Sequence, residues 1–123
     1  GWVIDGRSIY WTLKFLYRRY RLPIIITENG MANNDSITDG EVRDDVRIGF
    51  MNDYLSNVRR AIDDGVKVFG YQHWSLMDNF EWAEGYEPRF GLIYVDYKTL
   101  KRTPKNSAYH YKKIIETNGE IIP

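Results

Sequence analysis

Cysteine is absent from this 123-residue chain, and its absence excludes disulfide bonds, cysteine-ligated zinc and a thiol nucleophile. It also favours a reducing compartment, so we expect a cytoplasmic protein. Lysine plus arginine total 17, as do aspartate plus glutamate. Because there is no excess of positive charge, nucleic acid is not an expected partner. No apolar run approaches the roughly 18 residues of a membrane span, so no membrane partner is expected either.

Aromatic residues, in contrast, are frequent. They make up 15% of the chain and include 10 Tyr and 4 Trp. Most such side chains pack in protein cores, but the flat C–H faces of sugar rings also lie against indole and phenol rings. Composition alone leaves both interpretations open, with core packing favoured.

The hydrophobic pattern predicts an alternation of helices and strands. Apolar side chains at three- and four-residue spacing indicate helices, and short β-branched runs indicate strands. The expected elements are a helix over residues 8–20, a strand over 24–26, a surface loop over 29–39, a helix over 44–63, a strand over 66–74, a short strand or hairpin over 90–97, and a helix that starts at Thr103-Pro104, with Pro at its first position, and ends near Thr117.

This alternation predicts an α/β fold with parallel strands joined by right-handed crossovers. Residues 24–26 are apolar on both faces, as in a strand that is covered on both sides. Two such strands leave unpaired backbone edges, which a (β/α)8 TIM barrel removes by closing on itself. A complete barrel needs roughly 250 residues or more. The chain therefore fits only two of the βα units of such a barrel.

Glu28 directly follows the first predicted strand, in the segment IITENGM over residues 25–31. A carboxylate at the carboxyl end of a barrel strand occupies the position where such folds place catalytic groups. For an arbitrary glutamate at a strand end, the start of a surface loop is the more frequent explanation. The flanking residues favour the catalytic explanation, because the segment resembles the nucleophile motif of glycoside hydrolase family 1, which comprises β-glucosidases, β-galactosidases and phospho-β-glycosidases.

Further segments resemble the same family. Residues 70–86 read GYQHWSLMDNFEWAEGY and residues 89–96 read RFGLIYVD, similar to the region of the family's last strand. Residues 101–107, KRTPKNS, resemble the start of its final helix. The resemblance covers essentially all of residues 1–123. It implies that the chain is the C-terminal part of a single (β/α)8 glycosidase barrel and supplies strands 7 and 8.

The resemblance implies a role for each of five residues. Glu28 would be the nucleophile of a retaining β-glycosidase and would attack the anomeric carbon, forming a covalent glycosyl-enzyme that water then hydrolyses. Trp74 would form the floor beneath the sugar. Glu81 would accept hydrogen bonds from two adjacent sugar hydroxyls. Trp82 would donate its indole N–H to another hydroxyl, and Phe90 would close the pocket wall.

The segment around Glu81 also bears on the substrate. In this family, a Ser followed by Lys and Tyr in this stretch marks enzymes that take 6-phosphorylated sugars. This chain has Asn79-Phe80-Glu81-Trp82 there, and the Glu81 carboxylate would repel a phosphate. The resemblance therefore implies a non-phosphorylated β-glucoside, galactoside or fucoside as the substrate.

The second carboxylate that a retaining glycosidase needs is missing. Family members carry the proton donor in an Asn-Glu-Pro motif on the fourth strand, and the chain contains no such tripeptide. We therefore expect its partner to be the N-terminal portion of the same barrel, as a separate chain, a cleaved product or an engineered split. A non-catalytic carbohydrate- or protein-binding relative and an inactive isolated fragment remain as alternatives.

Neither a cofactor nor a metal ion is expected. No cofactor motif is evident, and the chemistry of the family needs none. The two histidines, His73 and His110, lie far apart in the sequence and lack the spacing of metal ligands.

Overall fold

The computed structural model describes residues 3–123. Three helices, four strands and one short 3-10 turn follow one another within this range. In chain order they are α1 (Arg7–Tyr20), β1 (Ile24–Asn29), α2 (Asp45–Asp63), β2 (Val68–His73), the 3-10 turn Trp82–Glu84, β3 (Ile93–Val95), β4 (Arg102–Pro104) and α3 (Asn106–Glu116). None of the helices within residues 3–123 is long and apolar enough to cross a membrane.

Strands β1 and β2 form a two-stranded parallel sheet, with α2 as the crossover between them. Ile24 lies opposite Val68 at one end, and Asn29 lies opposite His73 at the other. The predicted parallel strands with a helical connection are confirmed. The carboxyl ends of both strands therefore lie at the same edge of the sheet.

The first hydrophobic core lies between α1, α2 and one face of this sheet. Ile24, Ile26 and Val68 pack there against the two helices and against Val66, which lies between α2 and β2. On the same strands, Ile25 is 41% exposed and Phe69 is 68% exposed. The sequence predicts strands that are covered on both faces, and the described residues cover only one of them. The buried members of this core are Tyr10, Leu13, Val58, Ala61 and Val66.

A second core joins α2 to α3. Met51 and Leu55 of α2 pack with Leu92 and with Ile114 of α3, and Tyr71 of β2 lies against this cluster. Met51 is fully buried. Because Leu92 precedes β3, this core also holds the far end of the long segment between β2 and β3.

The segment that follows β2 differs in part from the prediction. The short strand expected within residues 90–97 exists as β3, but its antiparallel partner is β4, with Ile93 opposite Pro104. The prediction that the last helix starts at Thr103-Pro104 is wrong, because α3 begins at Asn106. A proline, which has no N–H to donate, is tolerated at the end of an edge strand as well as at the start of a helix.

Gly30→Ala tests the close approach of the chain segments that follow β1 and β2. A Cβ at Gly30 would lie 1.7 Å from the carbonyl oxygen of Trp74, so the backbone must shift to admit it. We expect this overpacking to lower the free energy of unfolding by about 1–3 kcal/mol or more. Urea unfolding followed by tryptophan fluorescence measures the change.

Gly49→Ala is the matched control for this substitution. A Cβ at Gly49, within α2, meets no atom within 4 Å, and alanine favours a helix over glycine by about 1 kcal/mol. The control should therefore be as stable as the parent or more stable. Equal stability of the two alanine variants would contradict the proposed contact at Gly30.

Candidate active site

Glu28 lies at the carboxyl end of β1, at a β-bulge. Ile26 pairs with Tyr71, and Asn29 pairs with His73. Between these pairs β1 has two residues and β2 has only one. Thr27 and Glu28 are consequently both exposed, which breaks the alternation of the preceding residues. Bulges of this kind redirect a side chain at the end of a strand. The extra residue therefore leaves the Glu28 carboxylate solvent-accessible in the described chain.

The end of β1 is tied directly to Trp74. The backbone N–H of Trp74 donates to the carbonyl oxygen of Asn29 at 2.9 Å, and the Tyr71 hydroxyl donates to Asn29 Oδ1 at 2.8 Å. Trp74 is half-buried, and its peptide bond to Ser75 is cis. The predicted nucleophile and the predicted sugar floor are thus at the carboxyl ends of two neighbouring parallel strands.

The other three predicted site residues lie in the segment that connects β2 to β3. Glu81 is half-buried, and its backbone N–H donates to the carbonyl oxygen of Gly85 at 2.6 Å. Trp82 begins the 3-10 turn and is 82% exposed. Phe90 is half-buried, and its carbonyl oxygen accepts a hydrogen bond from Ser75 N–H at 3.1 Å. This hydrogen bond places Trp74, which directly precedes Ser75, close to Phe90 near the end of the segment.

Beneath this segment lies a cluster of six charged residues that the sequence reasoning did not single out. The side chains of five are fully buried, and that of Arg89 is 14% exposed. Charges are rarely buried unless they are paired, and here three carboxylates meet three cations. The members of this buried charge cluster are Asp35, Asp44, Arg47, Asp78, Arg89 and Lys105.

The Asp78 side chain accepts more hydrogen bonds than either of the other two carboxylates in the charge cluster. Its Oδ2 accepts from Arg89 Nη1 at 2.6 Å and from Val95 N–H at 3.3 Å. Its Oδ1 accepts from Gly91 N–H at 3.0 Å and from Lys105 Nζ at 2.8 Å. A carboxylate with this many donors is well satisfied despite being buried.

The remaining pairs connect the cluster to α2 and to the segment after β1. Lys105 Nζ donates to Asp35 Oδ2 at 2.5 Å. Arg47 donates to Asp35 Oδ2 at 2.8 Å, to Asp44 Oδ2 at 2.9 Å and to the carbonyl oxygen of Arg89 at 2.6 Å. Because each charge has an opposite partner, removal of one member would leave an uncompensated buried charge, which costs about 3–5 kcal/mol.

His73, at the end of β2, is a neutral side chain at neutral pH. Burial, together with the smaller effect of the nearby positive charges of Arg47 and Lys105, lowers the pKa of His73 to about 4. Neither ring nitrogen has a hydrogen-bond partner among residues 3–123. The ring lies 6.0 Å from that of Tyr111, whose pKa is raised by burial. This environment gives His73 a structural role in packing.

No group of three or more His, Cys, Asp or Glu side chains in the described part of the chain is arranged to hold a metal ion. The acidic members of the charge cluster are instead neutralised by arginine and lysine.

The site could be found only in part from the sequence. Glu28 is marked by its position after an apolar strand, whereas Trp74 was singled out only by the family resemblance. Asp78 and Arg89 stood within the segments that carry the family resemblance, but a charged residue in a loop gives no local sign that it is buried. Lys105 also stood within a segment that carries the family resemblance, but a lysine beside Pro104 at the expected start of a helix is normally solvated.

The fold and the site together define a βαβ unit, with a carboxylate and an aromatic side chain at the carboxyl edge of its parallel sheet. The chain matches the model of Glycosyl hydrolase family 1 over residues 1–120. It therefore belongs to this family, and the resemblance noted in the sequence is confirmed.

Three relatives show the extent of the similarity. The chain is 49% identical over 121 residues to 1,4-beta-D-glucan glucohydrolase of Thermotoga neapolitana, which covers 97% of this chain and 27% of that protein. It is 42% identical over 126 residues to aryl-phospho-beta-D-glucosidase BglC of Bacillus subtilis, and this alignment covers 98% of this chain and 26% of that protein. The solved structure of β-glucosidase from Thermotoga maritima in complex with glucoimidazole is 47% identical, with a TM-score of 0.95 over 97% of this chain and 28% of that one.

The chain thus spans only 26% to 28% of the length of these relatives. Family 1 β-glucosidases are TIM barrels, and the chain superimposes on one part of such a barrel. The uncovered face of the β1–β2 sheet agrees with this partial coverage, because one face of every strand in a barrel points to the barrel interior.

His73→Phe tests the neutral state of the buried imidazole. An unfolded histidine has a pKa of about 6.5, and the folded value is about 4. The stability that this depressed pKa contributes is present above pH 6.5 and is lost as the pH falls towards 4, by about 3 kcal/mol in total.

Urea unfolding at pH 7 and at pH 5 measures this effect. The phenylalanine variant should lose less stability between the two pH values than the parent, because phenylalanine cannot take up a proton. An identical loss in the two proteins would show that His73 titrates normally.

Proposed function

We propose that the chain is the nucleophile-bearing part of a retaining β-glycosidase. One observation carries the proposal: Glu28 lies at a bulge at the carboxyl end of β1, beside β2, whose last residue is directly followed by Trp74. Carboxylates at this edge of a barrel are placed for catalysis. Membership in Glycosyl hydrolase family 1 supports the same assignment.

In the proposed reaction, a Glu28 oxygen attacks the anomeric carbon of a β-glycoside as the bond to the leaving oxygen breaks. The resulting covalent glycosyl-enzyme is cleaved by water, which restores the β configuration. A second carboxyl group, about 5–5.5 Å from the first, protonates the leaving group and then activates the water. We assign this second group to the N-terminal portion of the barrel.

Four further residues form the proposed sugar subsite. Trp74 provides a flat apolar surface beneath the ring, and Phe90 forms the wall. Glu81 accepts hydrogen bonds from two adjacent hydroxyls, while the indole N–H of Trp82 donates to a third. Trp82 is 82% exposed and therefore available to a ligand.

The proposed partner of the chain is the rest of a single (β/α)8 barrel, in which β1 and β2 are strands 7 and 8. The exposed Ile25 and Phe69 on the uncovered sheet face support this proposal, because strands of such a barrel bury that face in its interior. Each strand also has an unpaired backbone edge that neighbouring strands would complete. The proposed location is the cytoplasm, on the basis of the lack of cysteine alone.

The proposal is tested in a completed barrel. Here this term means the chain fused to the part of the Thermotoga maritima β-glucosidase that it does not match. Glu28→Gln keeps the side-chain volume and removes the nucleophile, so hydrolysis of an aryl β-glucoside should fall by about 1,000-fold or more. A chromogenic assay of kcat measures the loss.

Glu116→Gln is the control, because it makes the same chemical change at an exposed position near the end of α3. Its activity should equal that of the parent. If Glu28→Gln hydrolysed the substrate as fast as Glu116→Gln, Glu28 would not be the nucleophile, and a non-catalytic binding role would be favoured.

Substrate charge provides a second test, because one relative in the family is named as an aryl-phospho-glucosidase. Glu81 should repel a 6-phosphate, so the completed barrel should prefer an aryl β-glucoside to its 6-phosphate in kcat/KM. Glu81→Gln should lower kcat/KM for the neutral glucoside by about 10- to 100-fold, since hydrogen bonds to a charged group are lost. It should also reduce the ratio of kcat/KM for the neutral glucoside to that for the 6-phosphate.

Glu84→Gln serves as the comparison, because Glu84 lies in the same segment and is exposed. It should leave both rates unchanged. A parent that preferred the phosphorylated glucoside would contradict the assigned substrate class.

A further inference from the structure

Asp78 closes the segment that carries the proposed sugar-binding residues. The segment leaves β2 at Trp74 and returns at Gly91, and Asp78 binds both the Arg89 guanidinium and the Gly91 N–H at its far end. The approach at Gly91 is so close that a Cβ there would lie 2.1 Å from the backbone nitrogen of Asp78. Residues 79–88, which include Glu81, therefore form a loop that is closed at its base by the Asp78 carboxylate, together with the backbone hydrogen bonds that join residues 75–78 to residues 90–93. We call these residues the sugar loop.

Lys105 connects this closed base to the segment that follows the proposed nucleophile. Its ammonium group contacts Asp78 Oδ1 at 2.8 Å and Asp35 Oδ2 at 2.5 Å. Asp35 lies in the segment between β1 and α2, which starts directly after Glu28 and Asn29. All three side chains are fully buried. The pairs are therefore little screened by water, and their geometry is well determined.

The backbone of Lys105 is fixed independently of its charge. Its N–H donates to the carbonyl oxygen of Leu92 at 2.9 Å, and the N–H of Asn106 donates to the carbonyl oxygen of Val42 at 3.0 Å. The ammonium group is thus held at a defined position between the two loops. The segment after β1 and the segment after β2 also meet through two backbone hydrogen bonds between Asn33 and Arg89, at 3.1 and 3.3 Å, and through the side chain of Arg47.

We infer that Lys105 is a positioning residue that sets the distance between the Glu28 side and the Glu81 side of the sugar subsite. The inference rests on the proposed glycosidase function, in which Glu28 attacks the sugar that Glu81 orients. Asp78 precedes Glu81 by three residues, so a shift of the Asp78 carboxylate moves the start of the sugar loop. Displacements of about 1 Å at a catalytic site can change rates by about 100-fold.

The cluster supplies a matched pair of variants for the test. Asp35→Asn keeps the shape of the side chain and removes the charge that links Lys105 to the segment after β1. Asp44→Asn makes the same change at an equally buried carboxylate that, like Asp35, binds Arg47 but does not contact Lys105. Its Oδ1 accepts from the backbone N–H of Ser107 at 2.8 Å. Both variants lose an ion pair with Arg47, but only Asp35→Asn also loses the pair with Lys105.

The readout is the ratio of kcat/KM for an aryl β-glucoside to that for the matching galactoside. It is measured in the completed barrel well below the temperature of unfolding. Epimer discrimination depends on where Glu81 meets the hydroxyls, so a general loss of stability would leave the ratio unchanged. We expect Asp35→Asn to change the ratio by about ten-fold or more, and Asp44→Asn to leave it within about two-fold.

If Asp35→Asn does not fold, the double variant Asp35→Asn/Lys105→Met keeps the test available. It removes one charge of each sign, and Asp78 retains its pair with Arg89. The same ten-fold change is expected from it. A ratio that stays at the parent value, or that changes equally in Asp44→Asn, would overturn the inference while the parent remained active. An inactive parent would instead refute the proposed function, and the inference with it.

Discussion

The structure depends most on the buried charge cluster, because it joins four parts of the chain that are far apart in the sequence. Asp35 comes from the segment after β1, Arg47 from α2, Asp78 from the segment after β2, and Lys105 from the start of α3. Buried ion pairs are weak sources of net stability, but breaking one is costly because a charge is left unpaired. The cluster therefore acts chiefly to specify one arrangement of loops at the carboxyl edge of the sheet.

The second constraint is the sheet face that the described residues leave uncovered. The helices pack on one side of β1 and β2 through Ile24, Ile26 and Val68. The other side presents Ile25 and Phe69, together with the bulge that exposes Glu28. Other strands that continued the sheet and filled its interior would bury this face and pair its backbone edges. In the proposed barrel, the same closure that buries these apolar side chains brings the second carboxylate towards Glu28.

Much of the fold was predictable, because hydrophobic periodicity is a local signal. It located α1, α2 and both strands of the parallel sheet, and the end of the first strand marked Glu28. The start of α3 was misplaced, because Pro104 suits both a first helical turn and an edge strand, and only the pairing with Ile93 decides between them. The bulge and the charge cluster arise from contacts between distant segments, which a single sequence does not display. The sugar-binding roles are predictions that come from the family resemblance rather than from local pattern.

The central claim is that Glu28 forms a covalent bond with the sugar, and trapping that bond tests it most directly. An activated aryl glucoside with fluorine at C2 slows the hydrolysis of the glycosyl-enzyme and lets it accumulate, since fluorine destabilises the electron-poor transition state. The completed barrel would be treated with this reagent, digested and analysed by mass spectrometry. The account predicts a glycosyl adduct on the peptide that contains Glu28. An adduct on another carboxylate, or an active enzyme that forms none, would contradict it.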